Sequence, residues 1–153
     1  MPRFECERQL PFPRDTVFDL VADVEAYPEF LPGWRDARIV HRDAADLLVE
    51  QELGVRAWSW RFRTRARLER PERILITTHE HPFARLHQEW TFTASPGGGT
   101  RVSLEVDYAL QVGLLRHLVT QFFDEGFRRT LGAFEQRAHE VIDRQGTGRH
   151  GRD

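Results

Sequence analysis

Residues 58–69 read Trp-Ser-Trp-Arg-Phe-Arg-Thr-Arg-Ala-Arg-Leu-Glu. Side chains alternate between the faces of a strand, so Trp58, Trp60, Phe62, Thr64, Ala66 and Leu68 share one side. Ser59, Arg61, Arg63, Arg65, Arg67 and Glu69 share the other. This is the pattern of an antiparallel sheet with one face buried and one in water. Two later segments repeat it. Leu86, Gln88, Trp90 and Phe92 oppose His87, Glu89, Thr91 and Thr93; Val102, Leu104, Val106, Tyr108 and Leu110 oppose Ser103, Glu105, Asp107 and Ala109. Working outward, strands are predicted over Arg3–Leu10, Asp36–Arg42, Leu47–Val55, Trp58–Arg70, Arg73–His79, Leu86–Thr93 and Arg101–Leu110. Pro11, Pro13, Asp43–Asp46, Gly54, Pro71, Pro82 and Gly97–Gly99 punctuate them.

Helices flank this run. Val17, Phe18, Leu20, Val21 and Val24 fit one helical face, and Asp15 suits the positive end of the helix dipole. Pro28 and Pro32 confine Tyr27–Pro32 to a second short turn with exposed aromatics. From Leu114 to Asp143, Leu118, Val119, Phe122, Phe123, Phe127, Leu131, Phe134, Ala138 and Val141 keep near-helical spacing, predicting one long amphipathic helix. The glycine-marked tail 144–153 has nothing to bury and is expected to be disordered. The order is α+β, with a single domain over residues 1–143. The sheet's apolar face has only the long helix to cover it, so about seven strands must curl around that helix. A cavity between the two is expected.

The chain has 153 residues, 40% hydrophobic and 30% charged, with 22 basic against 24 acidic side chains. It is long enough for a core without staples. One cysteine, Cys6, excludes an internal disulfide framework and a cysteine-rich zinc site. No stretch reaches the roughly 20 apolar residues of a membrane span. The charged N-terminus, with Arg3, Glu5, Glu7 and Arg8, fits neither a signal nor a transit peptide, so a cytoplasmic location is expected. Every basic residue is arginine, hence permanently charged. A net charge of −2 is no footprint of general nucleic-acid binding, and DNA is not an expected partner.

That element order, with Val17-Phe18-Asp19-Leu20-Val21-Ala22-Asp23-Val24-Glu25-Ala26-Tyr27-Pro28-Glu29-Phe30-Leu31-Pro32, resembles the coenzyme Q-binding START-like proteins. The RatA-type ribosome association toxins belong to the same family, within the polyketide cyclase/dehydrase-like SRPBCC superfamily. Pro82-Phe83-Ala84-Arg85-Leu86 leading into Trp90-Thr91-Phe92, and Phe134-Glu135-Gln136-Arg137-Ala138, extend the match over residues 3 to about 143. Two positions depart from it: Gly33-Trp34-Arg35 stands where the family commonly has Trp-Cys, and His81 replaces the usual glycine before Pro-Phe. The resemblance implies a helix-grip (START/Bet v-like) fold with a lipid-sized cavity. It implies binding of ubiquinone or a related isoprenoid, with no other cofactor required, in support of respiratory electron transfer; a peripheral place at the inner membrane is an additional expectation from the apolar loop residues below. The quinone-binding role is the first expectation; the alternative the resemblance implies is a large-subunit ribosome partner and a block of subunit joining.

On that reading Trp58, Trp60, Phe62, Trp90, Phe92, Phe122, Phe123 and Phe127 are candidate cavity wall, with solid core packing as the plain alternative. Among inward-parity polar residues, Arg8, Gln51, Thr64, Gln88 and Tyr108, the last two are candidates for orienting a quinone carbonyl. Tyr27, Phe30, Leu31, Pro32, Trp34 and Phe83 are read as a gate or membrane contact, or else as a plug. Arg61, Arg63, Arg65 and Arg67 are read as a grip for RNA or anionic lipid, or as cross-strand partners of Glu50, Glu52, Glu89, Glu105 and Asp107. His79, His81 and His87 lack the ligand spacing of a metal site. No catalytic motif is present, and a binding role rather than a cyclase-like enzyme is expected.

Overall fold

A computed structural model describes residues 3–55, 57–113 and 116–150, with the side chains of 55 and 143–150 outside the description. The chain runs β1 (Arg3–Leu10), α1 (Arg14–Ala22), a 3-10 helix (Val24–Glu29), β2 (Trp34–Asp43), β3 (Asp46–Val55), β4 (Trp58–Glu69), β5 (Arg73–Thr78), β6 (Phe83–Ala94), β7 (Thr100–Leu110) and α2 (Arg116–His150). The strands form one sheet in the order β1-β7-β6-β5-β4-β3-β2, antiparallel throughout. This is the helix-grip architecture expected. The tail expected over 144–153 falls where side chains, or at 151–153 whole residues, lie outside the described part; the same holds for the expected helix start at Leu114.

Parity decides burial. On β4, Phe62 and Ala66 are each 3% exposed while the arginines between them face water. On β7 the whole inward row from Val102 to Leu110 is buried. α2 answers with Val119, Phe123, Phe127, Thr130, Leu131, Phe134 and Ala138, spaced so that one stripe meets the sheet. α1 buries Val17, Phe18 and Val21, and Phe18 meets Phe92 edge to face at 5.4 Å. Arg70 clamps α1 to the β4–β5 turn through two bonds to Asp19 at 2.8 and 2.9 Å. Both groups are exposed, so the clamp sets position more than stability.

Two local features shape the ends of the sheet. Gly33 adopts φ +83°, and a β-carbon there would stand 3.2 Å from the Phe122 ring; the turn into β2 therefore needs glycine. β4 and β5 pair only from Arg65 to Glu69, and beyond that point the sheet splays. The freed Arg63 backbone is satisfied by side chains instead: its N–H donates to Glu80 at 2.9 Å, and its carbonyl accepts from the Thr78 hydroxyl at 2.6 Å.

Candidate functional site

The space between sheet and α2 is walled by side chains from the strands and helices around it, among them Val49, Leu53, Phe62, Ala66, Ile76, Leu86, Trp90, Phe127 and Phe134. Its volume is about 40 Å³, room for about one to three waters. Sites for drug-sized ligands are typically about 300–1,000 Å³, so this interior is nearly filled by its own rings. Phe62 meets Phe83 at 5.2 Å, Phe83 meets Phe123 at 4.9 Å, and Trp90 meets Phe134 at 5.2 Å.

A polar seam crosses the apolar wall. Trp34 Nε1 donates to Gln51 Oε1 at 3.1 Å, and Gln51 Nε2 donates to the Thr64 hydroxyl at 3.1 Å. Gln51 and Thr64 are 7% and 4% exposed, so this chain satisfies groups that would be costly to bury alone. Gln88 follows Ala66 and Ile76 across the sheet in register. Its Oε1 accepts from Trp90 Nε1 at 3.4 Å, while its Nε2 has no partner among the described residues. Thr130 also lines the space; its hydroxyl turns back to the Gly126 carbonyl at 2.8 Å. The described residues of this wall include no carboxylate, imidazole, thiol or guanidinium. Tyr27 has the only hydroxyl of phenol type on it, donated to the Val21 carbonyl, and burial raises its pKa, with Asp23 adding to the rise.

The expected site residues divide. Phe62, Gln88, Trp90 and Phe127 line the cavity. Phe92, Tyr108 and Phe123 do not; they are buried in the packing around it, Tyr108 against Phe127 at 5.3 Å with its hydroxyl donating to the Thr120 carbonyl at 3.4 Å. Burial pushes the Tyr108 pKa up to about 12, with Asp124 contributing. Phe122 is half-buried against Trp60 at 5.8 Å. Trp58, at the first position of β4, keeps the inward parity of Phe62 but is 45% exposed, lining an open pocket at the end of the sheet. Of the two expectations for the proline-marked residues, a gate or a plug, burial fits the plug: Tyr27, Leu31 and Phe83 are buried wall, and Phe83 belongs to β6 rather than a loop. Trp34 opens β2 and lines the same wall, Phe30 is half-buried beneath Arg137 at 5.1 Å, and Pro32 is exposed. The sequence reading did not single out Val24, Val49, Leu53, Ile76, Thr130 or Phe134 as wall; the apolar stripe of α2 already contained Phe134. Arg8 lies at the surface, 3.7 Å from Glu135. At the family's cysteine position, Arg35 packs its guanidinium over Gly54, where a β-carbon would be 2.6 Å from its Cζ.

The outer face of β4 is a second candidate. Arg61 is paired with Asp36, Glu50 and Glu52 at 3.4, 3.5 and 2.9 Å, and Glu50 also accepts from Arg38 at 3.0 Å. The Arg38 hydrogen bond holds the Glu50 carboxyl below the usual range. Cross-strand pairing stops there. Arg63, Arg65 and Arg67 are exposed and make no side-chain ion pair among the described residues. Their neighbours explain it: Glu50, opposite Arg63, is already taken, Arg65 faces Leu48 and Thr77, and Arg67 faces Leu75 and an Asp46 that does not reach it. Arg65 and Arg67 border an open groove of about 480 Å³ with Leu48, Leu75 and His41. No group of three or more His, Cys, Asp or Glu side chains is gathered as for a metal ion among the described residues. Nor is any helix among them long and apolar enough to cross a membrane.

A curved seven-stranded antiparallel sheet gripping one long helix, with a small seamed cavity between them, defines the START-like class of helix-grip proteins. The chain belongs to the polyketide cyclase/dehydrase and lipid transport family, whose model matches residues 10–135. It is 28% identical over 141 residues to the ribosome association toxin RatA of Escherichia coli K12, covering 92% of this chain and 89% of that protein. The crystal structure of TTHA0849 from Thermus thermophilus superposes with a TM-score of 0.80 at 24% identity, over 92% of this chain and 99% of that one. The ZhuI aromatase/cyclase from Streptomyces sp. R1128 gives 0.81 at 16% identity, over 92% and 95%. These last two likenesses speak for the fold.

Proposed function

We propose that this protein associates with the large ribosomal subunit and grips RNA phosphates with the outer face of β4. The observation carrying this reading is the row of Arg63, Arg65 and Arg67, three permanent charges with no ion-pair partner among the described residues. Alternate residues on a strand stand about 7 Å apart, a repeat suited to successive phosphates of an extended strand. Forked guanidinium groups suit phosphate oxygens. The likeness to RatA supports the choice of partner. Co-sedimentation of the purified chain with ribosomal subunits tests it. Three phosphate contacts predict a loss of roughly 20- to 40-fold in affinity for a fourfold rise in salt. Replacing Arg63 and Arg65 with glutamate should release the protein. Binding that ignores both salt and the charge reversal would refute this reading.

A second reading is favoured by one observation, the Gln88 Nε2 without a hydrogen bond among the described residues on a largely apolar wall. That N–H pair suits a carbonyl acceptor such as a quinone head, with an isoprenoid tail displacing wall residues. With no titratable acid or base on the described wall other than the Tyr27 phenol, this reading is binding rather than catalysis. Organic extraction of protein purified without detergent, read by mass spectrometry for stoichiometric ubiquinone, separates it from an empty interior.

A further inference from the structure

We propose that the groove beside the arginine row takes one unpaired guanine base of a single-stranded RNA. This base site rests on the RNA-gripping role of Arg63, Arg65 and Arg67 and adds recognition to it. On the outer face, Leu48, Arg65 and Thr77 are register partners in one row across β3, β4 and β5, and Asp46, Arg67 and Leu75 in the next. β2 extends the two rows with His41 and Asp43. All of them line the groove of about 480 Å³, which falls within the range of small-ligand sites. Leu48, Leu75 and Thr77 are half-buried in it, while the charged side chains around them are exposed.

Charge selects the occupant. Arg65 and Arg67 make no ion pair among the described residues, and neither do Asp43 and Asp46, which stand opposite each other across the β2–β3 hairpin. Like charges placed directly opposite destabilise a pair of strands, and a ligand that donates hydrogen bonds to them relieves this. The other acids of this part of the face are engaged: Glu50 by Arg38 and Arg61, Glu69 and Glu89 by Arg73. Arg42 alternates to the other side of β2, and His87 continues the first row beyond Thr77. A phosphate suits the arginines but is repelled by the two aspartates, whereas a base bearing N–H donors suits both. Guanine sets two donors, N1–H and its 2-amino group, side by side, a match for the two oxygens of one carboxylate. Its flat face would lie on Leu48 and Leu75, with the adjoining phosphates on Arg63 and Arg65. In a duplex that edge is taken by the partner base, so the site selects an unpaired nucleotide.

Fluorescence anisotropy of the full chain with short labelled RNAs tests this. An oligouridine carrying one central guanosine should bind about tenfold more tightly than oligouridine alone, the worth of one bidentate contact. Uracil is the stricter control because it offers a single N–H between two carbonyls. Pairing the guanosine within a hairpin stem should cancel its advantage. Replacing Asp43 and Asp46 together with asparagine should bring the two single strands to equal affinity. Both positions are exposed, so an unchanged Tm establishes that the variant is folded. Salt-sensitive binding that does not distinguish the two strands overturns the base site and leaves the phosphate row standing. A guanosine preference that survives the double asparagine variant, or one kept in the hairpin stem, overturns it as well. Failure of both strands to bind at low salt removes the phosphate row and the base site together.

Discussion

The two faces of β4 meet opposite conditions. Inward, Phe62, Thr64 and Ala66 are enclosed, and the Thr64 hydroxyl accepts from Gln51. Outward, only Arg61 is matched by acids, while Arg63, Arg65 and Arg67 remain open to a partner. An unpaired polar group is costly in the core and nearly free of penalty in water. The interior must therefore satisfy itself, and the surface is where this strand can keep unpaired charge. Gln88, on the cavity wall, uses its carbonyl for the Trp90 indole and makes no hydrogen bond through its Nε2 among the described residues.

The contrast can be broken most forcefully from inside. Phe127 lines the cavity and packs between Tyr108 and Phe123, so Phe127→Ala should cost about 3–5 kcal/mol in urea unfolding. A loss below about 1 kcal/mol would show a wall held open rather than packed. Next come the two glutamines. Gln51→Leu strands the Trp34 indole and the Thr64 hydroxyl, with an expected cost of about 1–3 kcal/mol, whereas Gln88→Leu strands only the Trp90 indole across a longer 3.4 Å contact and should cost less. Equal losses at the two sites would mean that Gln88 is structural. The smallest effect is a titration. Both tyrosines of the chain have raised pKa values through burial, Tyr108 to about 12 and Tyr27 higher still. Their neutral phenols favour the fold fully below the unfolded value near 10, and that contribution is lost as pH rises through the folded values. Ultraviolet titration should show no phenolate near pH 10 in the folded protein. Early ionisation of one tyrosine would mean that its surroundings are wetter than the packing implies.

Much of the fold was legible because strand parity and helical spacing are local. The seven strands, the long helix and the inward rows follow from them, and a two-residue period leaves little freedom over which side is buried. The site was legible only in part. Parity says that Trp58 and Phe62 point the same way, but not that the sheet runs out of cover before Trp58. It says that Tyr27 and Phe83 are apolar and near prolines, but not that the curl of the sheet makes them wall. Nor can it say which arginine finds an acid, since that depends on β2 and β3 lying beside β4 in one register.

By itself the sequence determined the α+β class, the inward and outward sets, the permanence of every basic charge outside histidine and the family. Only the tertiary structure decided that the interior is nearly full, that Gln88 keeps an unused donor, and that the cationic row begins after Arg61. It also brought Leu48 and Leu75 into one groove beside that row, although β4 lies between them in the chain. The physical reason is the same throughout. Periodicity fixes where a side chain points, whereas cavity volume, pairing and exposure depend on what a distant segment brings to meet it.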